Sequence, residues 1–277
     1  MVSRKTRVLI LCKTYPSPSE KHVETSCVAG LEEGGNLIRL FPVPFRLIRD
    51  DQQFRKWQWI TARIEKAGND RRPESHKIFV DTIDCSEQPI STRARWGDRR
   101  AALGSVPIFE DFAALEQARQ TNGITLGLLK PSSITSLEIS PTESTDWTEE
   151  EHKKLVQNER QSGLFDAADA QNLAKLRKVP FSFHYRYTCQ DGAETRTYRH
   201  KIADWEAGAL YWNCRSSHGD GWETPFRQKI ETALPAADLM FLMGTIHRFP
   251  DQWLIVSLLY PPKPAPPPAQ QSFLLDQ

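Results

Sequence analysis

The chain has 277 residues, a net charge of +1 at pH 7 and a hydrophobic content of 39%, so it can bury a core and is not disordered as a whole. No apolar run reaches the roughly 20 residues of a membrane span, and no signal-peptide cleavage pattern follows the N-terminus, so we expect neither a transmembrane helix nor secretion. Five widely spaced cysteines without a CxxC pair predict a reducing, cytoplasmic setting and no metal site.

The near-zero net charge hides an uneven distribution along the chain. Residues 1–100 carry a net charge of +6, and residues 101–176 carry a net charge of −6. A basic region can attract phosphates or an acidic partner, but the acidic middle could equally neutralise it within the same molecule.

The first 85 residues predict a small strand-rich unit. Apolar runs and alternation predict four strands, over residues 7–12, 37–41, 59–65 and 78–83. Val23, Cys27 and Leu31 recur at helical spacing, which predicts a helix from Ser19 to Leu31 that ends at two glycines.

The middle of the chain has a different pattern. It predicts helices over residues 91–103 and 108–120, then short strands over residues 124–129 and 134–139. The stretch 141–178 is polar and acidic, which predicts an exposed arm or insertion and the best position for a domain boundary.

A β-hairpin gives the clearest local signal of the last hundred residues. Four aromatic residues alternate with polar ones from Phe181 to Tyr187, and Asp191-Gly192 turns the chain into residues 194–202. We expect the aromatic side to be buried and structural. Further patterns predict helices over residues 204–212 and 222–234, strands over 239–243 and 253–259, and a polyproline stretch over 261–268.

Together these elements predict an α+β fold with a bent mixed or antiparallel sheet, barrel-like in the manner of small nucleic-acid-binding barrels, and with peripheral helices. The predicted organisation is a strand-rich α+β unit over residues 1–140, an acidic helical insertion over 141–178, a segment over 179–260 that completes the same core, and a proline-rich tail over 261–277.

Basic and aromatic residues interleave in the N-terminal third, as they do on surfaces that bind nucleic acid. The candidates for phosphate contact are Lys13, Arg39, Arg46, Arg49 and Arg55, and those for base stacking are Tyr15 and Trp57. The loop 13–19 before the predicted helix could also hold an anion at the helix N-terminus. The alternatives are a core role for the aromatic rings and ordinary solvated arginines.

The hairpin carries a second basic set, on the side opposite its aromatic residues. His184, Arg186 and Thr188 lie on the first strand, and the return strand contributes Arg196, Arg199, His200 and Lys201. This composition is typical of a phosphate-binding sheet face and equally of a solvated outer face.

Residues for catalysis are few. Glu24, Asp204, Glu206 and His247 could act as acid, base or metal ligand in an enzyme that acts on nucleic acid or a nucleotide. Asp204 could instead be a helix N-cap. No cofactor is predicted, and the catalytic residues stay unassigned.

Four segments together resemble a group of bacterial proteins of similar length. They are residues 13–16 with 27–30, residues 37–46, residues 204–206, and residues 241–245. This resemblance implies one integrated unit over most of the chain and implies no activity.

The leading interpretation is a cytoplasmic accessory protein that binds DNA or RNA through its N-terminal third. The alternatives are the enzyme and a protein-interaction subunit, whose partner would be held by the tail through Phe273, Leu274 and Leu275.

Overall fold

The strands in the described part of the chain form one sheet of six strands and one of seven. The computed structural model describes residues 2–19, 23–153, 176–192 and 194–264. Most of the predicted acidic insertion and the apolar end of the predicted tail therefore lie outside the described residues.

The first sheet closes into a barrel. Its strands are β1 (Arg4–Lys13), β2 (Ser17–Ser19), β3 (Val23–Glu32), β4 (Leu37–Val43), β5 (Trp59–Lys66) and β6 (Ser75–Asp84). The strand order is β1-β5-β6-β4-β3, and β1 also pairs with β3, which closes the ring, while β2 extends it beside β3. Small and branched apolar side chains such as Val8, Ile10, Val28 and Ile60 fill the interior.

Within this ring β4 and β6 are parallel, and the other neighbouring strands are antiparallel. Without the short β2, the connectivity is that of the five-stranded Greek-key barrel known as the OB-fold. The predicted α+β fold with a barrel-like sheet is therefore confirmed.

The predicted helix from Ser19 to Leu31 is wrong, because Val23–Glu32 is strand β3. Its side chains are buried on both faces: Val28 lies in the barrel interior, whereas Ala29 and Leu31 pack outside the barrel. A strand buried on both faces has no alternation of apolar and polar residues. Its apolar residues can therefore match helical spacing by chance.

The second sheet has seven strands. They are β7 (Ile108–Phe109), β8 (Leu126–Leu129), β9 (Ser133–Pro141), β10 (Phe181–Asp191), β11 (Glu194–Ile202), β12 (Met240–Thr245) and β13 (Trp253–Leu259). The order is β7-β8-β12-β13-β11-β10-β9. Residues 108–141 thus contribute strands β7, β8 and β9 to this sheet.

Helices complete the architecture. Those in the described ranges include α1 (Arg93–Leu103), α2 (Phe112–Asn122), α3 (Trp205–His218) and α4 (Glu223–Arg227), which a π-helical stretch (Gln228–Ala233) continues. Short 3₁₀ turns lie at Asp50–Gln52 and Gly219–Trp222. None of the helices in the described ranges is long and apolar enough to cross a membrane.

One face of the second sheet is covered by helices α2 to α4. The predicted hairpin is confirmed as β10 and β11, and Phe183, Tyr185 and Tyr187 are buried in this core beside Phe226 and Phe241. Phe181 is half-buried at its margin against Trp222. The aromatic side of the hairpin is therefore structural.

The barrel covers half of the opposite face. Leu9, Leu11, Ala29 and Leu31 from the outside of β1 and β3 share one apolar cluster with residues of β8, β12 and β13, namely Leu126, Leu128, Met240, Leu242 and Val256. Strands β9, β10 and β11 form the other half, where polar and charged side chains alternate with buried ones and several are exposed.

Candidate nucleic-acid interface

OB-type barrels bind oligonucleotides on the outside of their second and third strands, which here are β3 and β4. In this protein that face packs against the second sheet. Arg39, on β4, is 2% exposed. Its guanidinium donates hydrogen bonds to the hydroxyls of Ser75 and Thr125 and to the carbonyl of Thr125. The prediction that Arg39 is a phosphate contact is wrong because the seam between the sheets buries its side chain.

Lys13, at the end of β1, lies among aromatic rings. Its Nζ is 3.5 Å from the ring centroid of Phe45 and 5.1 Å from that of Trp205, and it donates a hydrogen bond to the carbonyl of Phe54. Burial lowers the pKa of the amino group to about 8, although Glu206 favours the charged form. Lys13 is therefore an inner member of an aromatic cluster rather than an exposed phosphate contact.

The two predicted stacking residues differ in their surroundings. Trp57 is 3% exposed and packs edge-to-face on Trp96 at 5.4 Å, so the prediction that it stacks on a base is wrong. The hydroxyl of Tyr15 donates to the carbonyl of Arg177 and accepts from the indole of Trp212. These bonds fix the Tyr15 ring at the edge of a surface cleft.

The remaining predicted arginines do not form one surface with Arg39. Arg46 binds Glu24, which is fully buried, with its Nε 2.7 Å from Oε2. Arg49 pairs with Asp51 two residues later, and Arg55 is exposed. The loop after Lys13 leads into strand β2, so the described chain has no helix N-terminus there to hold an anion.

The carboxylates considered for catalysis have structural partners. Asp204 caps α3, where Oδ1 accepts a hydrogen bond from the N–H of Glu206 and Oδ2 accepts one from the N–H of Leu258. The ammonium of Lys56 lies 3.6 Å from Asp204 and 2.8 Å from Glu206. Burial raises the pKa of Asp204, and Lys56 opposes this rise. This group joins the barrel to α3 and β13.

His247 lies at the opposite end of the seam. Its Nδ1 is 3.2 Å from Oδ1 of Asp70, which also pairs with Arg72. Burial opposes ionisation of Asp70, but hydrogen bonds from Arg72 and Ser75 hold its pKa well below the usual range. Within the described ranges, no three His, Cys, Asp or Glu side chains are grouped to hold a metal ion.

The second basic set forms a continuous surface, which we call the hairpin face. It consists of the outward side chains of β9, β10 and β11: Glu138, His184, Arg186, Arg199 and Lys201. Arg186 lies directly opposite Arg199, and His184 lies opposite both Lys201 and Glu138. The two Oε atoms of Glu138 each accept a hydrogen bond from one arginine Nε, at 3.0 Å from Arg186 and 2.6 Å from Arg199.

Two residues predicted for this basic set belong elsewhere. His200 points to the aromatic side, where its Nδ1 bonds to the hydroxyl of Tyr187 at 2.9 Å and burial lowers its pKa to about 4. Arg196 lies near the turn and pairs with Asp191 and Glu194. Side chains alternate along β11, so Arg196 and His200 lie on the aromatic side of the sheet, opposite Arg199 and Lys201.

Nδ1 of His184 is buried and has no hydrogen-bond partner within the described part of the chain. Burial lowers the pKa of this histidine, and the neighbouring cations Arg199 and Lys201 lower it further. A buried polar atom without a partner is unusual in a folded protein and is satisfied when a ligand or water reaches it. Among the described residues of the hairpin face, His184 is thus the one with a buried polar atom that lacks a partner.

A cleft of about 250 Å³ lies beside the hairpin face, and we call it the corner cleft. Its lining includes the aromatic residues Tyr15, Trp147, Phe181 and Phe183, the basic residues Lys178 and Lys201, and the hydroxyl-bearing residues Thr14, Thr142 and Ser182. A Cβ on Gly208, in α3, would lie 2.4 Å from the Tyr15 ring. Glycine is therefore required there for the ring to pack on the helix.

Sequence reasoning identified the hairpin cations but did not identify the corner cleft. Trp147 and Lys178 are far apart along the chain and belong to no periodic pattern. They meet because the indole of Trp147 donates a hydrogen bond to the carbonyl of Leu176, which places Lys178 5.6 Å from the ring centroid. No signal in the sequence could have paired them.

Two family models match the chain. Residues 4–105 match one described as "Domain of unknown function (DUF8758)", and residues 109–277 match one described as "Domain of unknown function (DUF8757)". The two matches meet between α1 and β7, where the second sheet begins. No curated protein matches the chain.

Proposed function

Since this chain belongs to the family described as a domain of unknown function (DUF8757), we propose a function from the chemistry of its surfaces: it is a cytoplasmic accessory protein that binds the phosphate backbone of nucleic acid. The hairpin face is the contact surface. This keeps the function expected from the sequence and moves its site from the barrel to the second sheet.

The observation that carries the proposal is the charge of the hairpin face. Arg186, Arg199 and Lys201 are exposed there on two neighbouring strands, and Glu138 on the third strand pairs with the two arginines. Glu138 accepts hydrogen bonds from the Nε atoms of Arg186 and Arg199. The terminal nitrogens of these two arginines make no hydrogen bond to the described part of the chain. Such nitrogens are the donors that phosphate oxygens accept.

The spacing of these cations suits a phosphate chain. Lys201 and Arg199 are two residues apart on β11, so their Cα atoms are about 7 Å apart along the strand. This is of the order of the separation between successive phosphates of an extended nucleic-acid strand. His184 and Arg186 repeat the same step on β10. A phosphate backbone that runs along β10 and β11 would therefore meet a pair of donor side chains at every second residue of these strands.

A sheet face that is only solvated would have the same composition. The test therefore compares the oligonucleotide affinity of a hairpin-face variant with that of the wild type. The double variant Arg186→Gln with Arg199→Gln should weaken binding of a labelled oligonucleotide for all sequences alike, because phosphate contacts carry no sequence information. Each lost phosphate contact should also reduce the slope of log K against log salt by about 0.7 for a single strand.

The matched control is Arg55→Gln with Arg49→Gln, which removes the two exposed arginines that the sequence placed in the site. We expect this control to keep the wild-type affinity and salt slope. Equal affinity of the hairpin variant and the wild type would refute the proposal, and loss of binding in the barrel variant alone would return the site to the barrel. Metal-dependent cleavage of the oligonucleotide would contradict a role limited to binding.

A further inference from the structure

We propose that the corner cleft receives an unpaired base, so that the ligand of this protein is single-stranded nucleic acid. This inference rests on the proposed function, because the hairpin face would hold the phosphates of the strand whose base enters the cleft. It adds a second subsite and a class of nucleic acid that phosphate binding alone does not specify.

The two surfaces adjoin at Lys201 and Ser182, and Phe183 and Ile202 line the cleft from the aromatic side of the sheet. Lys201 belongs to both, since it lies opposite His184 on the hairpin face and also lines the corner cleft. Ser182 lines the cleft two residues before His184 on β10, on the same side of the sheet. A strand that follows β10 and β11 would therefore reach the cleft within one or two nucleotides of Arg186 and Arg199.

The size and lining of the cleft favour a flat ring. Its volume of about 250 Å³ is below the range of roughly 300–1,000 Å³ for sites that enclose a drug-sized ligand. The cleft can thus accept one ring but not a whole nucleotide. The ring of Trp147, half-buried in the lining, is the stacking surface, and the hydroxyls of Thr142 and Ser182 offer hydrogen bonds to the edge of a base.

The cations beside the cleft distinguish it from an apolar pocket. Lys178 and Lys201 both line it, and Asp204 is the acidic residue in its lining, buried and paired with Lys56. The two lysines of the lining would meet the phosphates on either side of an inserted base. In a duplex the bases are paired and stacked, so insertion would first require their unpairing.

The experiment compares three probes in low salt: a short oligothymidylate, a strand of the same length whose nucleotides lack bases, and a duplex of the same length. The wild type should bind oligothymidylate about tenfold or more tightly than the abasic strand, because stacking of a base on an aromatic ring has that magnitude. The same comparison is made with oligouridylate, so that DNA and RNA are both covered.

The variant Trp147→Leu should remove this discrimination and leave the affinity for the abasic strand unchanged. Trp147→Phe keeps an aromatic ring but loses the hydrogen bond to Leu176, so it separates stacking from the structural role of the indole. We expect Trp147→Phe to keep most of the discrimination. Thermal unfolding of both variants checks that they are folded.

Equal binding of the intact and abasic strands in both DNA and RNA would overturn the inference while leaving phosphate binding established. Equal loss of discrimination in Trp147→Phe and Trp147→Leu would also overturn it, because stacking would then not be the cause. Tighter binding of the duplex than of the single strand would overturn it as well. Failure of all three probes to bind at low salt would instead refute the proposed function itself.

Discussion

The contacts of Asp204 predict that Asp204→Ala will be among the most destabilising substitutions in the chain. This carboxylate is 4% exposed. It caps helix α3, accepts the N–H of Leu258 at 2.9 Å and the hydroxyl of Ser257 at 3.2 Å, and lies beside the ammonium of Lys56. One side chain thus connects the start of a helix, a central strand and the barrel.

The magnitude follows from the groups that lose a partner. Loss of an Asp N-cap costs about 1 kcal/mol. The buried N–H of Leu258 is left without an acceptor, which costs about 1–3 kcal/mol. The hydroxyl of Ser257 keeps the carbonyl of Leu11 as a partner, and Lys56 keeps Glu206, so their contributions are smaller. We expect a total loss of about 4 kcal/mol in the free energy of unfolding.

Urea unfolding at pH 7, followed by far-UV circular dichroism and tryptophan fluorescence, measures this loss. Glu206→Ala is the matched control, since Glu206 binds the same Lys56 but its side chain is 53% exposed. Exposed ion pairs contribute at most about 1 kcal/mol. A loss below about 1 kcal/mol in Asp204→Ala, or equal losses in both variants, would refute a structural role of Asp204 and favour its reassignment as a functional acid.

Three other substitutions test the core and the assignment of faces. The pKa of His200 is about 4 in the folded state, whereas the pKa of a histidine in the unfolded state is about 6.5. As the pH falls, the unfolded state therefore binds the proton first. The free energy of unfolding should drop by about 2–3 kcal/mol between these two pH values. In His200→Gln this drop should be reduced by that amount, and an unchanged pH profile of urea midpoints would contradict it. In Gly30→Ala the new Cβ would lie 2.4 Å from the carbonyl oxygen of Leu9, so we expect the free energy of unfolding to fall by about 1–3 kcal/mol. The control is Gly221→Ala, where nothing lies within 4 Å of the new Cβ and we expect no measurable change. Equal melting temperatures of the two variants would show that the barrel tolerates the clash. Phe183→Ala should cost about 3–5 kcal/mol but keep the affinity of the folded protein for the abasic strand, because Phe183 lies on the aromatic side of the hairpin, and the opposite result would reverse the faces of the hairpin.

The sequence by itself determined most of the elements and the two sides of the hairpin. Alternation from Phe181 to Tyr187 and the Asp191-Gly192 turn predicted β10 and β11, and the structure buries their aromatic side. Both signals are local, since side chains alternate along any strand and a tight turn needs particular residues. The apolar runs that became β1, β12 and β13 could be recognised for the same reason.

Only the tertiary structure decided which charged and aromatic residues are accessible. Arg39 and Arg186 are both arginines within strands, yet the seam between the sheets buries Arg39, whereas Arg186 lies on the half of the second sheet that no described element covers. The alternation along a strand indicates which residues share a side. It does not indicate whether another sheet, distant in the chain, covers that side.

The same reason explains the errors over β3 and the corner cleft. Residues of β3 are apolar on both sides because the barrel interior lies on one side and the second sheet on the other, and a local pattern with two buried sides no longer distinguishes strand from helix. The corner cleft joins Tyr15, Trp147 and Lys201, which are more than a hundred residues apart from first to last. Long-range packing brought these residues together, and the physical cause is the burial of apolar surface between the barrel and the second sheet.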